Sequence, residues 1–233
     1  MTLLKGFFNY AISKKRLVGD NPANDIKAYA VDESRREYTP QELTRILQAA
    51  KEIEDKAKDP LSVERNARSV ILLLLYTAMR PGELFSLKWE NVRDHKIVFK
   101  RTETKQKDVK EIPITDRIRR ILEDLREQGS PAGYVIPLRP GINREQVFVH
   151  DLFKAIREKS GVSDFIFYNI KHTAATVMVT EALGRGASLR DVMKILGHRR
   201  VETTLKYVHA DFDRMKKAML ALEDVVDKKD RSG

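Results

Sequence analysis

The run Val70-Ile71-Leu72-Leu73-Leu74-Leu75-Tyr76 sits inside a mostly apolar stretch from about Val63 to Met79. A helix that is apolar on every side has to be buried, in lipid or in the core of a sizeable domain. This run is far shorter than the ~20 residues a membrane-spanning helix needs, so it predicts a core helix around which the other elements pack. Pro81-Gly82 ends that helix ahead of a short one through Leu87 and leaves Arg80 at the break.

The flanking segments supply amphipathic partners. Thr39-Pro40-Gln41-Glu42 is a capping box with proline at the first helical position, followed by Leu43, Ile46, Leu47 and Ala50 on one face. Periodicity predicts further helices over Thr115 to Glu127, Glu145 to Lys159, Asn169 to Ala182, Ser188 to Leu196, Val201 to Val208 and Phe212 to Val226. Ser188 with Asp191 forms a second capping box, and Gly197 is placed to end its helix with a left-handed cap. Three short strand-like pieces, Leu87 to Trp89, Lys96 to Lys100 and Glu111 to Ile114, flank the polar basic run Arg101 to Lys110. The fold class expected is mainly α with a small antiparallel β-sheet, an α+β domain. At the N-terminus, Leu3, Leu4, Phe7, Phe8, Ala11 and Ile12 mark a lone amphipathic helix that stops near Gly19-Asp20-Asn21-Pro22. The charged stretch 31–37 reads as a linker, with the main domain at 38–226 and a flexible tail at 227–233.

Forty-four Lys and Arg against 34 Asp and Glu give a formal charge of +10, which favours a polyanionic partner. Nucleic acid leads and an anionic membrane is second. The chain has no cysteine, which excludes thiolate catalysis, a disulfide scaffold and Cys-containing zinc sites. That composition fits a reducing compartment, and a cytoplasmic, nucleoid-associated protein is expected. The start MTLLKGFFNYAISKKRL does not resemble a secretory signal.

In the run ILGHRRVETTLKYVH, Tyr207 follows His198 within a basic neighbourhood. A phenol, with a reference pKa near ~10, attacks phosphate only beside groups that neutralise charge and move protons. TAMRPGELFSLKW at 77–89, Thr104-Lys105 ahead of a strand ending in Ile112-Pro113, KHTAAT at 171–176 and LGHRRVETTLKYVH at 196–209 occur in this order. Together they resemble the catalytic domain of the tyrosine recombinases, the phage integrase family, over nearly all of Tyr38 to Leu222.

The resemblance implies a helical domain that clamps double-stranded DNA and exchanges strands through a 3′-phosphotyrosine, with neither metal nor nucleotide cofactor. It makes Tyr207 the nucleophile, Arg80 a clamp on the scissile phosphate, Lys105 the proton donor to the departing 5′ oxygen and His198 a phosphate ligand. Lys107 is the substitute for Lys105, Glu83 is placed to orient Arg80, His172 supports the site, and Arg199, Arg200 and Lys107 are expected to contact DNA. Residues 1–30 resemble the last helix of the family's core-binding domain, whose preceding helices are missing from this chain. A homo-tetramer on DNA, monomeric when free, is also implied, with Phe212, Met215, Ala218, Met219, Leu222 and Val226 as the face that docks on a neighbour.

The chain departs from the family in its third motif, where His-x-x-Arg-His is usual and Tyr168-Asn169-Ile170-Lys171-His172 stands. Tyr168 keeps a hydroxyl that donates or accepts. Lys171 replaces a planar bidentate clamp with a point charge of different reach. Two functions follow: a site-specific recombinase that integrates or excises a mobile element, or a recombinase-derived DNA-binding protein with weak or no catalysis.

Overall fold

A computed structural model describes residues 2–24, 36–100, 109–129, 133–139, 141 and 147–207. The chain divides into two compact units, Met1–Ser34 and Arg35–Gly233. In the first, α1 (Thr2–Ser13) is shorter than its apolar pattern suggested. Asn21 closes the turn behind it, its side-chain amide donating to Lys5 O at 2.9 Å and Asn9 Oδ1 at 2.7 Å.

The second unit is mainly α with a two-stranded antiparallel sheet, as expected. Its described elements are α2 (Pro40–Lys56), α3 (Ala67–Thr77), α4 (Pro81–Phe85), β1 (Lys96–Phe99), β2 (Lys110–Pro113), α5 (Asp116–Glu127), α6 (Val147–Ser160), α7 (Phe167–Gly184), α8 (Leu189–Leu196) and α9 (Val201–Leu205). The apolar run forms α3 at the centre, packed by α2, α5 and α7. Val70, Ile71, Leu73 and Leu74 are fully buried there against Ile46, Leu84, Phe85, Ile97, Ile118 and Ile170. Full burial of such side chains contributes roughly 1.5–3 kcal/mol each, which makes this seam the main source of stability. A second cluster, Ala78, Ala174, Ala175, Val179, Val192, Leu196 and Tyr207, joins the end of α3 to α7, α8 and the segment after α9.

Local signals mostly set the helix starts. Thr39 accepts from the Glu42 N–H while Glu42 accepts from the Thr39 N–H, the reciprocal capping box. Ser188 accepts from the Asp191 N–H, and Gly197 caps α8 in the left-handed region at φ 68°. The expected helix from Val63 is a 3₁₀ turn over Val63–Asn66 that passes into α3. Of the three strand-like pieces two form the sheet, in the register Ile97↔Ile112 and Phe99↔Lys110. The third is reduced to one bridge between Lys88 and Tyr134, a partner too distant in sequence to anticipate.

The stretch 31–37 does not end as a linker at Glu37. Arg36 donates from both terminal nitrogens to Glu42 at 2.8 Å, and it also binds Asp164. Glu37 accepts from Thr176 Oγ1 at 2.8 Å. Of the residues assigned to the linker, Arg36 is held by carboxylates from α2 and the turn before α7, and Glu37 by a hydroxyl of α7. The expected helix Phe212 to Val226, Lys105 and Lys107 lie outside the described residues.

Candidate active site

A cleft of about 300 Å³ is lined by Arg80, Tyr168, Lys171, His198, Arg199, Arg200, Thr203, Lys206 and Tyr207. Four separate pieces of chain deliver these side chains. Arg80 is placed by the break after α3, where Ala78 adopts a left-handed conformation at φ 48° and its N–H bonds to Leu74 O. A non-glycine residue in that region is uncommon and costs order 1 kcal/mol or more. The turn swings Arg80 out of the helix axis, and Arg80 then caps α4 with Pro81 at its first position.

Behind Arg80 stands a buried carboxylate. Glu83 Oε1 accepts from Arg80 Nη1 at 2.7 Å, and Oε2 accepts from the Arg80 N–H at 2.9 Å and from Lys110 Nζ at 2.8 Å. Glu83 and Lys110 are only 5 % and 3 % exposed, so both charges are out of solvent. Burial alone would raise the Glu83 carboxyl. The Lys110 ammonium, its hydrogen bond and the Arg80 N–H outweigh it and hold the group at about 2. Burial lowers Lys110, against the pull of Glu83.

α7 contributes Tyr168, Lys171 and His172, three and four residues apart and therefore on one face. Tyr168 is half exposed and Lys171 is buried. Burial, then the neighbouring charges of Arg80 and Lys110, push the Lys171 ammonium down to about 7, with Glu83 opposing. Gly197 turns the chain out of α8 and delivers His198, whose N–H bonds to Met193 O at 2.9 Å. His198 Nδ1 lies 2.9 Å from Thr204 Oγ1. Burial, followed by Lys171, Arg80 and Lys110, pushes its imidazole down to about 4, so at neutral pH it is uncharged. Tyr207 closes the group: its ring meets His172 edge-on at 4.8 Å and stacks on His198 at 6.0 Å. It is 9 % exposed yet lines the cleft.

Arg80, Tyr168, Lys171, His198, Arg199, Arg200 and Tyr207 are thus gathered as the sequence suggested, with Glu83 and His172 directly behind them. Lys110, Thr204 and Lys206 were missed. Lys110 had a readable signal, because a strand that buries Ile112 also turns inward the residue two places before it. Three cations around one carboxylate, with exposed Arg199, Arg200 and Lys206 at the rim, suit a single anionic group bound beside a phenol. Among the described residues no group of three or more His, Cys, Asp or Glu side chains is gathered for a metal ion.

The model of the phage integrase family matches residues 36–214. The chain belongs to the phage integrase family. It is 23 % identical to the integrase of Escherichia phage P2 over 90 % of this chain and 53 % of that protein. It is 26 % identical to tyrosine recombinase XerC of Herpetosiphon aurantiacus, over 91 % of this chain and 68 % of the relative. This family member therefore spans about half to two thirds of the length of these relatives. Among solved structures, the Tn1549 transposon integrase bound to transposon right-end DNA superposes with a TM-score of 0.64 at 20 % identity, over 94 % of this chain and 76 % of that one. A lambda integrase dimer bound to a core site gives 0.64 at 20 % identity, over 88 % of this chain and 57 % of that one. These likenesses fix the fold as that of the tyrosine recombinases.

Proposed function

We propose that this chain is the catalytic part of a site-specific DNA recombinase that cleaves and rejoins strands through a 3′-phosphotyrosine, integrating or excising a mobile element. The observation that carries this reading is the Tyr207 phenol held between two imidazoles in the cleft that Arg80 and Lys171 line. The Tyr207 oxygen bonds to phosphorus as its proton passes to solvent water in the cleft. The bond from phosphorus to the 5′ oxygen breaks, and Lys105 protonates that oxygen. Reversal with a new 5′ hydroxyl restores the phosphodiester, so no external energy source or cofactor enters.

Arg80 and Lys171 offset the charge that gathers on the non-bridging oxygens, and removing one such donor typically costs ~10² to 10³ in rate. Neutral His198 donates a hydrogen bond to the same phosphate from the ring nitrogen opposite Thr204. Tyr168 presents its hydroxyl at the rim. Arg199, Arg200 and Lys107 hold the DNA backbone, which fixes register without reading sequence. α1, with Leu3, Leu4, Phe7 and Tyr10 exposed, belongs to a preceding core-binding domain. The protein acts in the cytoplasm on double-stranded DNA as a homo-tetramer. An apolar groove lined by Leu43, Leu75, Ala174, Val177 and Met178 supports that assembly as a seat for the C-terminal helix of a second copy.

A nicked attachment-site DNA tests the chemistry. Wild type is expected to form a covalent protein–DNA adduct and Tyr207→Phe none; an equal adduct from Tyr207→Phe refutes the assignment. The second reading, a DNA-binding protein with little catalysis, draws on the depressed basicity of Lys171, which leaves that position partly uncharged at neutral pH. Lys171→Arg separates the two. A large gain in adduct marks a slow enzyme, and no adduct from either form marks a binding module. Sizing on a two-site DNA tests the tetramer, which a persistent one-to-one complex contradicts.

A further inference from the structure

A buried ion pair, Lys110 with Glu83 at 2.8 Å, lies behind Arg80 at the back of the cleft. Lys110 sits in β2 with its side chain turned into the domain, opposite Phe99 of β1 and with its ammonium 5.9 Å from that ring. At 3 % exposure it cannot touch a DNA phosphate without abandoning Glu83. Its ammonium donates to Glu83 Oε2, while Oε1 of the same carboxylate accepts from the Arg80 guanidinium. We propose that Lys110 is a positioning residue of the cleavage reaction, holding Glu83 and through it the Arg80 guanidinium in the orientation that meets the scissile phosphate.

Two physical arguments support this. The first is geometric. A carboxylate can aim a guanidinium only if it is itself fixed, and the Arg80 N–H and the Lys110 ammonium both donate to Glu83 Oε2, which leaves Oε1 turned to the guanidinium. Without Lys110, Oε2 keeps only the Arg80 N–H, so the carboxylate is held less firmly about its last side-chain torsion and the Arg80 guanidinium with it. The second is electrostatic. A lone buried carboxylate at 2.7 Å would cancel most of the field that Arg80 offers to an incoming phosphate. Lys110 balances that carboxylate from behind, so the group of Arg80, Glu83, Lys110 and Lys171 presents net positive charge to the cleft. An ordinary buried ion pair lacks this link, because neither partner touches a residue that lines a cleft.

The inference rests on the proposed strand cleavage, and the test separates the two. Single-turnover adduct formation on a nicked site and non-covalent DNA affinity are measured for wild type, Tyr207→Phe, Lys110→Met, Lys110→Arg and Lys110→Met with Glu83→Gln. Lys110→Met is expected to slow adduct formation ~10²-fold, the scale of a displaced or lost oxyanion donor, with affinity changed less than about threefold. Lys110→Arg should recover at least about tenfold of that loss, because the charge is restored. The double variant removes both buried charges, so it should fold as wild type does. It should cleave faster than Lys110→Met and more slowly than wild type, since a neutral amide holds Arg80 less firmly. Adduct formation by Lys110→Met within about threefold of wild type overturns the role of Lys110. If Lys110→Met does not fold, a double variant that cleaves at the wild-type rate overturns it instead. Equal loss of affinity and rate, unrelieved by Lys110→Arg, assigns Lys110 to plain structure. Failure of wild type itself to form an adduct overturns the cleavage reading, and this inference with it.

Discussion

Replacing Lys171 by methionine should make the protein more stable near neutral pH and remove part of its pH dependence. Burial beside Arg80 and Lys110 holds the Lys171 ammonium down at about 7. In the unfolded chain it returns to the ordinary lysine value of ~10.4. The folded protein therefore binds this proton more weakly than the unfolded one. The charged group opposes folding fully below pH 7, and the opposition fades as pH rises towards ~10. Applied to that pair of values, linkage gives a wild-type gain of about 2 kcal/mol between pH 7 and pH 9, out of about 4 kcal/mol of opposition at pH 7. Lys171→Met keeps most of the side-chain volume and has no proton to release, so its stability over the same interval should lack that rise. Urea denaturation of both proteins at pH 7, 8 and 9 reads the difference directly. Parallel stability curves would refute the reasoning, because they would mean that Lys171 is solvated as an ordinary surface lysine. Adding a DNA site should flatten the wild-type curve, since a bound phosphate stabilises the same cation.

The His198 imidazole should stay neutral in the free protein from about pH 5 upwards. Its ring resonances in an NMR titration should be flat over that range, and a midpoint near ~6.5 would contradict the buried, cation-flanked environment. Thr204→Val removes the hydroxyl at His198 Nδ1 and should slow adduct formation about tenfold while DNA affinity holds, as expected when an outer hydrogen bond that orients a ring is lost. Ala78→Val places a β-branched residue in the left-handed region and should cost more than ~1 kcal/mol in denaturation, with a loss of adduct beyond that explained by unfolding. Unchanged stability would show that the turn before Arg80 has room to relax.

How much of this was readable in advance depended on distance along the chain. The capping box at Thr39, the cap at Ser188 and the left-handed Gly197 are set by residues within a turn of one another, and the structure forms all three. The central helix was legible from its run of apolar side chains, but not its 3₁₀ entry, which is fixed by packing against α2 and α6. α7 extends beyond its expected ends because Phe167 is buried against Phe153 and Phe165, contacts that periodicity within α7 does not encode. At the site, residue types and order sufficed to gather Arg80, Lys171, His198 and Tyr207. The inward lysine of β2 was marked only by its two-residue spacing from Ile112, amid the basic residues of the preceding run. Arg36 was similarly hidden, since one of its partners, Asp164, stands 128 residues further along the chain.

The two sides of the cleft are built on ground of unequal firmness. Lys171 and His172 ride on α7, whose Ile170, Ala174, Ala175 and Val179 are sealed into the interior. Tyr207 follows a helix of five residues in which Thr204 alone is buried. Amide exchange in such a structure is graded: backbone locked in the interior opens only with the whole domain, while a short surface helix opens on its own at small cost. The anion-binding half of the site should thus survive excursions that carry the phenol away and back. The short helix before Tyr207 is therefore the part of the cleft expected to exchange its amides first, ahead of the α7 backbone behind Lys171.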